Sequence, residues 1–163
     1  MIADLPPDTV RDRILQHLVK RFRDCVAGEN GRFITWNTVS DCPLTSEEIT
    51  FGNALGIYDG RERNKDGIGL STRFLEVQTE FKIKLAYGDK PAKVARAVLG
   101  EVQTVMTSDI YCTEGSVQLS LDIVEIGNEL DVDGPHDQTV AGIVFWEIQY
   151  RHIAGKPRNR QGE

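Results

Sequence analysis

The chain contains little of what builds disulfide frameworks, metal centres or membrane spans. Its 163 residues include three cysteines and three histidines. Cys25, Cys42 and Cys112 are far apart and form no CxxC pair, which argues against a zinc knuckle or a disulfide framework. We expect free thiols in a reducing compartment. No apolar run approaches the roughly 20 residues that a membrane helix needs, so no membrane span is expected.

Signatures of targeting and catalysis are also missing. The opening MIADLPPDTV has neither a basic nor an apolar stretch of the signal-peptide kind, so we expect a protein made and kept in the cytosol, unless it is built into a particle that leaves the cell. His17, His136 and His152 have no second histidine at metal-ligand spacing. Neither a GxSxG elbow nor a GxxxxGK phosphate loop followed by Ser or Thr occurs. We therefore predict no enzyme activity, no cofactor and no metal.

What the chain does contain is ordinary globular composition with unevenly placed charge. Its 40% apolar and 27% charged content is typical of a soluble globular protein, and its length predicts a single domain spanning residues 1–163. The net charge is −6, yet residues 114–137 carry seven carboxylates and no Lys or Arg, while residues 151–163 carry four basic groups and one acid. Such segregation offers two oppositely charged surfaces to partners.

Hydrophobic periodicity predicts two helices and several strands. The first helix has apolar residues at four-residue steps, namely Val10, Ile14, Leu18, Phe22 and Val26. Residues 73–87 alternate strictly between apolar and polar, which is typical of a long antiparallel strand with one buried face. A second helix follows, with Asp89 as its cap and Pro91 in its first turn. Two long strands close the chain, the first with a bulge near Asp122–Glu125.

This pattern predicts an α+β domain in the order α-β-β-β-α-β-β. We expect a mainly antiparallel sheet of four to five strands, two helices and a long hairpin in the C-terminal half. Residues 32–36 and 53–60 are predicted to be short strands. Trp36 and Trp146 each follow an apolar run, so both are expected in the core.

Two polar segments are predicted to be flexible and to become ordered only on assembly. They are the glycine-rich loop 60–71 and the basic tail 154–163, both of which have few apolar anchors. Their basic groups are candidates for pairing with carboxylates of a neighbouring subunit. These candidate interface residues are Arg61, Arg63, Lys65, Lys156, Arg158 and Arg160.

The acidic stretch GNELDVDGPHD, residues 127–137, can be interpreted as a calcium loop or as an acidic turn. If Glu129 is position 1 of a calcium loop, then Asp131, Asp133 and Asp137 fall at positions 3, 5 and 9. Position 12 should be a glutamate but is Val140. The flanking residues also alternate like strands, whereas an EF-hand loop lies between helices. The pattern therefore favours the tip of a β-hairpin.

The order of elements resembles that of the tail terminator proteins of long-tailed bacteriophages and, more broadly, of small tail-completion and neck proteins. The resemblance covers nearly the whole chain. It is carried by DTVRDRILQHLVKRF at the start, the turn-rich WNTVSDCPLTSEE, the glycine-broken ALGIYDGRER, the long alternating strand, the second helix and the closing strand pair. It implies a virion subunit that forms a ring, usually a hexamer, at the head-proximal end of the tail tube. Such a ring stops tail polymerisation and provides the docking interface for the head.

The resemblance also implies partners. These are further copies of the chain, the tail tube protein, and head–tail connector or neck proteins, with assembly in the host cytoplasm. DNA would only pass through the channel, and no membrane would be contacted. On this view Glu129, Asp131, Asp133 and Asp137 face or flank the lumen, where carboxylates repel phosphates; otherwise they form a solubilising turn.

Two alternatives stay open at the level of sequence. Within the same particle, the chain can be a head–tail neck connector or completion protein. In a different class, it can be a soluble enzyme or a small-ligand-binding module of unknown chemistry. A nucleic-acid binder is disfavoured by the net charge of −6 and by the lack of a concentrated basic stripe.

Overall fold

The computed structural model describes residues 7–45, 48, 52–132 and 138–159. Its elements are α1 (Val10–Arg23), β1 (Thr38–Ser40), β2 (Ala54–Asp66), β3 (Leu70–Lys84), α2 (Pro91–Met106), β4 (Thr113–Glu114), β5 (Val117–Gln118), β6 (Ser120–Asp131) and β7 (Thr139–Ile153). The predicted α+β class and the order α-β-β-β-α-β-β are confirmed. The two-residue strands β4 and β5, which pair with each other, add a small separate ladder.

Five strands form the main sheet in the order β1-β2-β3-β7-β6. The short β1 pairs parallel with β2 over Ala54–Gly56, and the other three pairings are antiparallel. β6 and β7 form the predicted long hairpin in the C-terminal half. Within the described residues β6 is an edge strand, and β2 becomes one from Ile57 onward, because β1 ends there.

One face of the sheet packs against the helices and forms the core. Alternate residues of β3 and β7 are buried on this face, as the sequence alternation predicted. The fully buried Trp146 donates its indole N–H to the hydroxyl oxygen of Thr79 at 3.0 Å. Trp36 is 6% exposed, so the prediction that both tryptophans lie in the core is confirmed.

Helix α1 begins with a reciprocal capping box. The backbone N–H of Asp12 donates to the Thr9 hydroxyl at 3.1 Å, and the Thr9 N–H donates to the Asp12 carboxylate at 3.0 Å. The predicted apolar stripe is buried as far as Phe22. The helix ends at Arg23, however, so Val26 lies beyond it and is exposed.

Helix α2 has Pro91 in its first turn, as predicted, but Asp89 does not cap it. The N-cap residue is Lys90, without a side-chain hydrogen bond. The Asp89 carboxylate instead accepts from the Ala86 N–H at 2.7 Å, within the preceding turn. At the other end of α2, the Arg21 guanidinium of α1 donates to the Met106 carbonyl at 2.7 Å, which ties the two helices together.

The prediction of a loop over 60–71 is wrong. β2 continues to Asp66 and β3 begins at Leu70, so only residues 67–69 form the turn. The polar composition of this segment is compatible with an edge strand, whose outer side faces water. The predicted short strand at 32–36 is also wrong, because the short strand is β1, at Thr38–Ser40.

The irregularity predicted in β6 is confirmed. The register of β6 against β7 shifts between Ser120 and Asp122, and again between Glu125 and Gly127. Bulges of this kind turn side chains away from the simple alternation of a strand. As a result Val124 and Ile126 are 47% and 56% exposed.

Candidate functional site

Within the described residues, no helix covers the second face of the sheet, which we call the open face. Even-numbered residues of β3 and odd-numbered residues of β7 lie on it, and nearly all are partly exposed. Phe74, Ile143 and Phe145 make its middle apolar. The Phe145 ring lies over β6, 4.0 Å from where a Cβ on Gly127 would be. This face leaves apolar surface in contact with water in a single copy of the chain.

The open face also carries charged pairs. Glu76 stands directly opposite Glu147, an arrangement of like charges that destabilises a sheet. Arg63 offsets it, because its guanidinium lies 2.7 Å from the Glu147 carboxylate. The same guanidinium lies 5.2 Å from the centre of the Phe74 ring. Arg63, predicted to bind a neighbouring subunit, is therefore already paired within its own chain.

A basic groove of about 370 Å³ lies on the open face at the β2–β3 turn. It is lined by Lys65, Ile68, Leu70, Thr72, Phe74 and Arg151, among others. Ile68, at the turn, is fully exposed. The structure thus brings predicted interface residues together on one strand, since Arg61, Arg63 and Lys65 all belong to β2.

The acidic hairpin lies where the sequence predicted it, between β6 and β7. Glu129 and Asp131 are exposed, and their pairing with Ile143 and Ala141 places them on the open-face side of β6. Asp133 and Asp137 lie outside the described residues. That these carboxylates face a lumen stays a prediction.

The stretch of β6 from Asp122 to Asp131, which we call the β6 edge, carries both apolar and acidic side chains. From Asp122 to Asp131, β6 pairs only with β7 within the described part of the chain. The exposed Val124 and Ile126 lie on this stretch. Its charged residues are all acidic, namely Asp122, Glu125, Glu129 and Asp131.

The basic tail, in its described part, folds back onto the start of α1. The Val10 N–H donates to the Pro157 carbonyl at 3.0 Å, and the Arg158 guanidinium donates to the Pro7 carbonyl at 2.7 Å. Lys156 lies in the same turn and is exposed, and Arg160 lies outside the described residues. The flexibility of the tail stays a prediction.

A polar cluster that sequence reasoning missed lies on the helix-covered face, beside α1 and the tail. Arg11 of α1 forms ion pairs with Asp59 and, at 3.8 Å, with Glu62 of β2. Arg73 of β3 lies 3.9 Å from the Glu62 carboxylate. The Tyr150 hydroxyl of β7 donates to Glu62. The sequence did indicate that Arg73 points toward the core face, because it is odd-numbered like the buried residues of β3.

The chemistry of this cluster is that of a structural ion-pair network. It lines a cavity of about 290 Å³ together with Thr9, His152, Gly155 and Pro157. Burial and the hydrogen bond to the Glu62 carboxylate raise the pKa of Tyr150 well above its ordinary value, so the phenol stays protonated and donates. Each carboxylate has a guanidinium partner, and no side chain in the cluster is arranged as a nucleophile beside a base.

No protein-family model matches the chain, and no curated protein matches its sequence. Over the residues that the structure describes, no helix is both long and apolar enough to cross a membrane. Among those same residues, no group of three or more His, Cys, Asp or Glu side chains is placed to hold a metal ion.

Proposed function

We propose that this chain is a structural subunit of a bacteriophage tail. Copies of it form a ring, a hexamer by its resemblance to tail terminators, at the head-proximal end of the tail tube. The ring stops tube polymerisation and provides the surface on which the head docks. The alternative role in the same particle is that of a head–tail neck connector or completion protein.

The observation that carries the proposal is a sheet that, within the described residues, has helices on one face only. Helices α1 and α2 bury one face, while the open face keeps Phe74, Ile143 and Phe145 partly exposed. Contiguous apolar surface on an uncovered face is typical of a contact with another protein. In a subunit of an assembly, a neighbouring subunit covers such a surface.

The two sheet edges support the same proposal. Within the described part of the chain, β2 and β6 lie toward opposite sides of the sheet, and each has a stretch with a strand partner on one side only. Ring closure requires two different surfaces on each subunit, because each copy meets its two neighbours through different patches. This chain has two edges that differ in charge and in sequence.

A purification experiment tests the proposal directly. Native mass measurement and negative-stain images of the isolated protein should show annular particles or their stable precursors. Added to the tube protein of the same particle, the chain should shorten the tubes as its proportion rises. A chain that stays monomeric and leaves tube length unchanged would contradict the proposal. Binding to the head connector without any effect on tubes would favour the neck role.

A second candidate function rests on the polar cluster. Its cavity of about 290 Å³ has the guanidinium groups of Arg11 and Arg73 in its wall, which suits a small anion. A carboxylate or phosphate ligand would have to compete with Asp59 and Glu62 for the guanidinium groups, which weakens this candidate. It predicts that millimolar citrate or phosphate raises the melting temperature of the wild type and not of Arg73→Gln.

A further inference from the structure

Two surfaces of this chain are complementary in charge, and their exposed apolar residues lie too far apart to meet within one copy. The β6 edge offers Val124 and Ile126 among acidic residues only. The basic groove offers Ile68 and Phe74 between Lys65 and Arg151. Each surface therefore combines exposed apolar area with one sign of charge, and the signs are opposite.

The sheet topology keeps Val124 and Ile126 of the β6 edge away from the β2 end of the groove within one chain. Lys65 lies on β2 beyond its pairing with β1, and β3 and β7 lie between β2 and β6. Three steps between neighbouring strands amount to roughly 14 Å. Val124 and Ile126 can therefore contact Lys65 only in a different copy.

We infer that the β6 edge of one copy docks on β2 and the basic groove of the next copy. The inference rests on the proposed function for the closure of the ring, but the pairwise contact can be tested without it. The contact is heterologous, so every copy uses its β6 edge on one side and its groove on the other. Acidic residues of one copy then lie beside Arg61, Lys65 and Arg151 of its neighbour.

Strand direction is compatible with this arrangement. β2 and β7 run the same way because both are antiparallel to β3, and β6 runs opposite to β7. A neighbour related by rotation about an axis along the strands would place its β6 antiparallel to β2. The register shifts in both strands interrupt a continuous ladder, so side-chain contacts must supply much of the affinity.

Two blocked variants test the contact. Val124→Lys with Ile126→Lys replaces the apolar part of the β6 edge by charges that repel the groove. Lys65→Glu with Ile68→Asp does the same to the groove. All four side chains are exposed in a single copy, so folding should be preserved. Each variant alone should lose association by more than about a hundredfold in Kd, since like charges in a contact cost several kcal/mol.

Mixing the two variants tests the contact more specifically than either variant alone. In an equimolar mixture, the intact groove of the first variant meets the intact edge of the second, and association should return in sedimentation or native mass spectrometry. A control that replaces exposed apolar residues elsewhere, Val26→Lys with Phe33→Lys, should associate like the wild type. Raising the salt concentration should weaken association of the wild type.

The outcomes separate this inference from the proposed function. If wild type and both blocked variants form the same rings, the contact is wrong and the ring proposal stands. If the mixture restores association but the wild type forms open chains that do not cap tubes, the contact stands and the proposed function is wrong. If the groove variant alone still associates, or the wild type stays monomeric up to about 1 mM, the contact is overturned.

Discussion

Gly142 of β7 occupies a position at which a side chain does not fit. A Cβ built there would lie 2.4 Å from Cζ of Phe81 and 2.9 Å from Cδ2 of Leu130. Phe81 is fully buried, so its ring has little room to move aside. Glycine in the middle of a strand often marks such a close approach. The sequence shows the glycine but not the ring that needs the space.

Replacing Gly142 by alanine should therefore lower the free energy of unfolding by about 1–3 kcal/mol, the usual cost of overpacking a core. Urea unfolding measures it. Gly100→Ala is the matched control, because nothing lies within 4 Å of its Cβ position inside α2. That variant should gain up to about 1 kcal/mol from helix propensity. Equal effects at the two glycines would contradict this interpretation of Gly142.

A second single residue, His17, makes the free energy of unfolding depend on pH. Burial and the nearby Arg21 guanidinium lower the pKa of His17, and together with Lys20 they outweigh Asp109 and Glu114, which raise it. The folded protein therefore disfavours the protonated imidazole. Since the pKa is lower folded than unfolded, stability is highest above the ordinary value of 6.5 and is lost as pH falls through the folded pKa.

We expect the wild type to lose more stability than His17→Gln between pH 7.5 and a pH below the folded pKa. Glutamine stays uncharged across this window, so the difference between the two proteins isolates the histidine from the carboxylates. Urea midpoints at several pH values measure it. A difference that is constant with pH would show that His17 does not titrate differently in the folded chain.

At the scale of elements, β2 shows how composition misleads. Residues 61–65 are polar and follow a glycine, which is typical of a loop. They nevertheless pair with β3, in a register that joins Arg63 to Phe74 and Lys65 to Thr72. Strand formation here follows from β3, whose strict alternation provides a template, and not from the propensity of β2 itself.

Hydrogen exchange in the isolated subunit tests this correction. Backbone amides of β2 that donate to β3 should exchange slowly, while those of the turn at 67–69 should exchange fast. The contrast within ten residues is an internal control. Uniformly fast exchange from 60 to 71 would restore the flexible loop that composition predicted.

At the scale of the whole molecule, one core joins both helices to the sheet. Its buried side chains run from Val10 at the start of α1 to Tyr150 near the end of β7 without a break into separate clusters. That residues 1–163 form a single domain stays a prediction, and it can be tested because a small chain with one core usually unfolds as a unit.

Unfolding should therefore show one transition. Tryptophan fluorescence reports on Trp36 beside α1 and Trp146 in β7, and circular dichroism reports on the helices and strands. The two methods should give the same urea midpoint. Midpoints that differ would show that parts of the chain unfold independently and would contradict the single-domain prediction.

Local pattern determined the class and order of the elements. Successive side chains in a strand point to opposite faces of the sheet. The alternation of apolar and polar residues along β3 and β7 therefore determined which of their side chains are buried. The same reasoning placed α1, α2 and the acidic hairpin between β6 and β7. It also indicated the bulged stretch of β6, because a bulge shifts the phase of the alternation.

Only the tertiary structure decided which distant residues meet. Arg11, Glu62, Arg73 and Tyr150 come from four elements, and their convergence depends on strand order and register, which no local pattern contains. The same holds for the open face and for the edges of β2 and β6 that have no strand partner within the described residues. A sequence shows that a strand has two sides without showing what covers them. Contacts between residues distant in sequence depend on the whole fold. The surfaces that remain for partners are those that such contacts do not cover.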